Sequence, residues 1–151
     1  MIVGFVVLLG PAGTWITAGL DARYQWSTRI PTLPFATGVA VAALCGALLV
    51  WATGANRFFY AVVRIQSHRG QTVVTGGPYR LMRHLGYAGA FAFILATPLI
   101  LGSWWAVVPA AVTAAITVLR TAPEDRTLQN DLEGYAVYAR TVRYKLLPFV
   151  W

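Results

Sequence analysis

The sequence predicts an all-α integral membrane protein of about four transmembrane helices, including a tight helical hairpin, followed by a C-terminal cytoplasmic amphipathic helix. Three observations predict it. Of 151 residues, 58% are hydrophobic and 11% are charged, against roughly 25% charged in an average soluble domain, so the chain could not cover its own surface in water. Residues 1–20, 30–56 and 84–119 contain no Asp, Glu, Lys or Arg, and a helix needs about 20 apolar residues to cross a bilayer core. The remaining charge is strongly basic, 12 Lys+Arg against 5 Asp+Glu, and lies in blocks between and after those stretches. The length holds a single domain.

The first span is expected over 1–20, weakened by Gly4, Gly10, Pro11 and Gly13. A signal peptide would need a basic start, and no basic residue occurs before Arg23, so a retained span is favoured. The chain begins inside apolar sequence, which leaves room for a further helix upstream. The second span is expected over 34–54. In the longest uncharged stretch, Pro98, Leu101-Gly102-Ser103 and Trp104-Trp105 mark a turn at the membrane–water interface. Two short spans, 87–101 and 104–119, therefore form a hairpin. The expected layout is two spans in 1–56, a cytoplasmic connector 57–85, the hairpin 86–119 and a cytoplasmic cap 120–151.

Orientation follows from the arginines. Ten of the 12 basic residues lie in the two segments Arg57–Arg83 and Arg120–Lys145. By the positive-inside rule both segments face the cytoplasm, together with both termini and any site built from them. Topology thus accounts for most of the basic charge, and no nucleic-acid-binding module is visible. Eleven arginines to one lysine point to a GC-rich bacterial genome and hence a bacterial cell membrane. Cys45 is the only cysteine and His68 and His84 the only histidines, so no protein metal site is expected.

Two segments exceed what a membrane anchor needs. In the first, Gly76-Gly77-Pro78 turns the backbone sharply and is followed by Tyr79, Arg80, Arg83, His84 and Tyr87 at the mouth of a span. On a helix, Arg83 and Tyr87 would share one face. Interfacial anchoring is the plain alternative for such residues. The second runs from Arg120 through Glu124 and Asp125 to Tyr135, Tyr138 and Arg143. Here Thr121-x-x-Glu124 reads as a capping box with Pro123 in the first turn, opening an amphipathic helix that Gly134 breaks or bends. Arg120, at a span end, needs a polar cavity, headgroups or a partner, and Glu124 is the nearest acid.

These residues resemble the integral-membrane methyltransferases related to isoprenylcysteine carboxyl methyltransferase and the phospholipid methyltransferases. The shared pattern is Gly-Pro-Tyr-Arg…Arg-His-Pro-x-Tyr, a helical hairpin, Arg…Glu-Glu…Leu, a Gly-x-x-Tyr element and an Arg-x-x-Pro-like end. It occupies about 76–151 here, with Leu85 in place of Pro and Asp125 in place of the second Glu. The resemblance implies S-adenosylmethionine as methyl donor, bound on the cytoplasmic side by Tyr79, His84, Tyr87, Glu124, Asp125, Tyr135 and Tyr138, with Arg120 and Glu124 as catalytic residues. It implies a lipophilic or lipidated acceptor entering from membrane lipid, foremost a prenylcysteine-type carboxylate, which needs no base. A phospholipid amine or small thiol would need one, with His84 or Glu124 as candidates. A catalytically inactive, family-related binding subunit is the non-enzymatic alternative.

Overall fold

The computed structural model describes residues 8–58 and 70–146. Among them are five α-helices and no strand: α1 (Gly10–Tyr24), α2 (Thr32–Ala55), α3 (Leu85–Ile100), α4 (Val107–Asp131) and α5 (Tyr135–Thr141), with a 3₁₀ helix at Gly77–Arg80. Residues 1–7 of the first expected span, Arg64, His68 and Arg69 of the connector, and the terminal Pro148 lie outside the described residues. Helix α2 is long and apolar enough to cross a membrane, and only 11% of its apolar window is buried. A core helix of a water-soluble protein would be mostly covered, so lipid is the environment that suits α2. Helix α3 is apolar but shorter.

The chain divides into two compact units, 1–46 with 90–117 and 47–89 with 118–151. In the first, most buried positions are small, among them Thr14, Ala18, Ala96, Ala106, Ala110, Thr113 and Ala114, with Ile30 a large exception. Large side chains point outward, with Leu33 77% and Leu44 69% exposed. This distribution is what helices packed in lipid require, because small residues let backbones approach while Leu costs nothing facing acyl chains. Gly10 is such an approach point: a Cβ there would run into the Thr113 side chain, which is itself bonded to the Pro109 carbonyl at 2.8 Å. Gly10→Ala should therefore lower stability by about 1–3 kcal/mol, read as a drop in unfolding midpoint in detergent.

The hairpin turn forms where expected. Gly102 takes φ 75°, and the N–H groups of Gly102 and Ser103 close back on the carbonyls of Leu99 (3.4 Å) and Pro98 (3.0 Å). That is the bond pattern of a glycine-terminated helix end. Trp104 and Trp105 follow, exposed, as an interfacial pair would be. Asp21 secures this end of the unit. Its carboxylate accepts the Ser27 N–H (2.7 Å), the Ser27 hydroxyl (2.6 Å) and the Ser103 hydroxyl. Helix α1 continues to Tyr24, past the expected end at residue 20, and closes with the Gln25 N–H on the Asp21 carbonyl.

The second unit is built differently. Its core is Ala52, Tyr79, Leu85, Leu132, Tyr135, Tyr138 and Val142, with Leu48, Val73, Val74, Met82 and Leu128 packed against it. The expected helix start at Thr121 does not form. Helix α4 runs unbroken from Val107 to Asp131 with Pro123 inside it. Thr121 is fully buried in mid-helix, following Thr113 and Thr117 at four-residue steps along one buried face. That burial overrides the local capping pattern, and proline's φ is compatible with helix although it costs a hydrogen bond. The separate amphipathic helix thus reduces to α5, set off by Gly134 at φ 81°. Gly134→Ala should cost about 1–2 kcal/mol, because an L-residue is strained there; thermal unfolding of the purified variant measures it.

Candidate active site

All the candidate residues fall in the second unit. The Gly76-Gly77-Pro78 turn, with Gly77 at φ 58°, leads into the 3₁₀ helix and buries Tyr79. The Tyr79 hydroxyl donates to the Ala52 carbonyl at 3.4 Å and accepts from Asn56 at 3.4 Å. Its backbone carbonyl accepts the Tyr138 hydroxyl at 2.6 Å. Beyond the turn, Arg83 and His84 form backbone bonds to the Tyr144 carbonyl (3.0 Å) and the Lys145 carbonyl (2.9 Å), and the His84 carbonyl accepts Ala88 N–H as α3 begins. The C-terminal segment therefore fixes the backbone of the Arg83-His84 pair.

Two carboxylates, adjacent on α4, organise the side chains. Asp125 is 1% exposed. Its Oδ1 faces Arg83 Nη1, His84 Nε2 and the Tyr135 hydroxyl, each at 3.1 Å. Its Oδ2 accepts from Gln129 at 2.8 Å and lies 3.9 Å from Lys145 Nζ. Burial pushes the Asp125 carboxyl up, but the His84 hydrogen bond and the Arg83 charge outweigh it and hold the pKa below an aspartate's ordinary value. The same carboxylate, after burial itself, raises the Tyr135 phenol. Burial is also the main reason the Tyr138 phenol is pushed up to about 12. Both tyrosines are hydrogen-bond donors at neutral pH. Their rings meet edge to face with centroids 5.5 Å apart. Tyr135→Phe should cost about 1.5–3 kcal/mol, typical of a lost hydrogen bond to a charged group; chemical unfolding monitored by Trp fluorescence measures it.

Glu124 forms the second group. Its Oε2 accepts the Tyr87 hydroxyl at 2.7 Å and pairs with Arg120 Nη2 at 3.3 Å. The Arg120 guanidinium carbon sits 5.5 Å from the Tyr87 ring centroid, and His84 and Tyr87 rings lie 6.0 Å apart. Because α4 is continuous, Arg120 and Glu124 stand one turn apart on one face. Their side chains are 11% and 8% exposed. Such a pair is less screened than a surface salt bridge.

The structure thus brings together His84, Asp125 and Tyr135 in one cluster, Tyr87, Arg120 and Glu124 in a second, and Tyr79 with Tyr138 in a third. The expected shared helical face of Arg83 and Tyr87 does not form, because α3 begins at Leu85. Arg83 turns to Asp125 and Tyr87 to Glu124. Sequence reasoning named Arg83 in the cluster without giving it a role, and left Gln129 and Lys145 out of the site. The i,i+4 spacing of Asp125 and Gln129 was the available signal for one of them. Arg83 Nε is buried with no hydrogen-bond partner among the described residues, a donor held ready in a site of opposite charges.

An α-helical chain with a membrane-length apolar helix and a buried Arg–His–carboxylate centre defines a class of helical membrane-associated proteins with a polar site at their core. The family model for Phospholipid methyltransferase matches residues 33–132, about two-thirds of the chain. The chain belongs to the phospholipid methyltransferase family, which makes it a methyltransferase by family. Arg83, His84, Tyr87, Arg120, Glu124 and Asp125 all lie inside the matched span, whereas Tyr135 and Tyr138 lie beyond it. A search of curated proteins finds no significant match to this chain.

Proposed function

We propose that the chain transfers a methyl group from S-adenosylmethionine to a lipophilic acceptor held at the membrane, with the amine of a phospholipid headgroup as the acceptor. The observation that carries the reading is the adjacency of two differently employed carboxylates, Glu124 and Asp125, inside the family span. The donor set suits the ligand. Among the described residues both partners of Glu124 fall on Oε2, which leaves Oε1 to an ammonium or a ribose hydroxyl. When bound, S-adenosylmethionine supplies an electrophilic methyl group on a sulfonium. The chain's own residues orient it, and approximation of this kind is worth about 7–11 kcal/mol. In this reading the site faces the cytoplasm and the protein resides in a bacterial cell membrane.

The acceptor class turns on Arg120. A prenylcysteine-type carboxylate would use Arg120 as its anchor, and the presence of that guanidinium beside Glu124 favours this second reading. Yet Arg120 is already paired with Glu124 and laid against Tyr87, so a carboxylate would have to compete for it. An amine needs a proton acceptor instead, and His84 is the candidate for that role. Arg120→Lys discriminates: bidentate geometry is lost, so carboxylate methylation should fall further than amine methylation. Methylation of phosphatidylethanolamine vesicles, a prenylcysteine analogue and a small thiol by the purified chain is the test. Transfer to the prenylcysteine analogue alone would overturn the amine assignment.

A further inference from the structure

We infer that Asp125 is a positioning residue that acts through His84, holding the imidazole with its hydrogen on Nε2 so that Nδ1 presents the lone pair that accepts the proton of the methyl acceptor. The inference rests on the proposed amine methylation and deepens it. The family pattern places Asp125 beside Glu124 as a ligand contact, but the geometry separates the two. Asp125 is 1% exposed, and donors of this chain occupy both of its oxygens: Arg83, His84 and Tyr135 on Oδ1, Gln129 on Oδ2. Little remains of it for a ligand. Glu124, by contrast, has its recorded partners on a single oxygen.

The tautomer follows from elementary chemistry. An ionised carboxylate only accepts, so an imidazole nitrogen 3.1 Å from Oδ1 must carry a hydrogen. The pairing with Arg83 and the approach of Lys145 keep Asp125 ionised. With Nε2 committed, the neutral ring has its lone pair on Nδ1, and among the described residues no hydrogen bond to Nδ1 is recorded. The backbone of His84 is also held: its N–H is bonded to the Lys145 carbonyl, and its carbonyl to the Ala88 N–H. Side chain and backbone are both held, as proton transfer over a defined distance requires.

The step balances. An alkylammonium acceptor loses one proton: the N–H bond breaks, its electron pair stays on nitrogen as the nucleophilic lone pair, and the proton bonds to Nδ1. The resulting imidazolium has its Nε2–H toward the Asp125 carboxylate, which offsets the new charge. The proton then passes to water, restoring the neutral ring.

Nitrogen-15 spectroscopy of the full chain in lipid nanodiscs, labelled at histidine, reads the tautomer directly. His68 is the only other histidine, so His68→Gln assigns the signals. The expected wild-type result is a downfield, slowly exchanging proton on Nε2 and a bare Nδ1. Asp125→Glu should retain that proton and a measurable share of turnover. Asp125→Asn should lower kcat by about 10²-fold or more while the Kd for S-adenosylmethionine stays within about twofold. A wild-type proton on Nδ1 would overturn the inference even if the variants fail to fold. So would an Asp125→Asn protein with unchanged kcat, or one whose cofactor affinity falls as far as its turnover. Failure of folded wild-type chain to bind S-adenosylmethionine would instead overturn the proposed function, and is distinguishable on that ground.

Discussion

Glu124→Ala is expected to abolish methyl transfer while leaving membrane insertion intact, with His84→Ala doing the same. Glu124 Oε2 joins the Tyr87 hydroxyl at 2.7 Å and Arg120 at 3.3 Å. Truncation removes the carboxylate proposed to meet the donor and releases the two groups that hold it in place. A hydrogen bond to a charged group is worth about 1.5–3 kcal/mol, so two or more such contacts together imply a loss on the order of 10²–10⁴-fold in kcat/KM. Insertion should survive, because the apolar length of α2 and the packing of the first unit do not involve Glu124. Membrane fractionation with a methyl-transfer assay on the same preparations checks both halves. Full activity in both variants would sink the site assignment.

Asp125→Ala should give the largest loss of stability of any substitution considered. It leaves Arg83, whose side chain is 6% exposed, without its counter-charge, and breaking one partner of a buried pair typically costs about 3–5 kcal/mol. The same carboxylate sets an acid-side pH dependence. Its pKa is lowered on folding, so its contribution is fully present above an aspartate's ordinary value near 3.8. That contribution is lost as pH falls below that value and through the folded pKa. Wild-type unfolding midpoints should therefore drop steeply in that acid window, and the drop should flatten in Asp125→Asn. A flat wild-type profile there would contradict the buried ion-pair description.

What the sequence made legible were features carried by local pattern. The uncharged stretches located α2 and the α3–α4 hairpin, and Leu101-Gly102-Ser103 marked a turn that the backbone closes at Gly102. The adjacent acids and the Arg83-His84 pair were visible as scarce charge at span ends. What escaped was long-range. Thr121-x-x-Glu124 satisfies the rule for a helix start, and only burial of Thr121 by tertiary packing tells that the helix continues. Likewise Arg83 and Tyr87 have helical spacing, but their partners lie about 40 residues away on α4. No spacing rule connects positions joined through a chain reversal. The Tyr138 hydroxyl on the Tyr79 carbonyl, 59 residues apart, is of the same kind.

Equilibrium binding of radiolabelled S-adenosylmethionine to the purified, folded chain in nanodiscs decides whether this site holds the methyl donor. Saturable binding to wild-type protein is expected, lost in Glu124→Ala and retained in Asp125→Asn. Absence of saturable binding to wild-type protein, with its helical content and unfolding transition intact, would contradict that assignment.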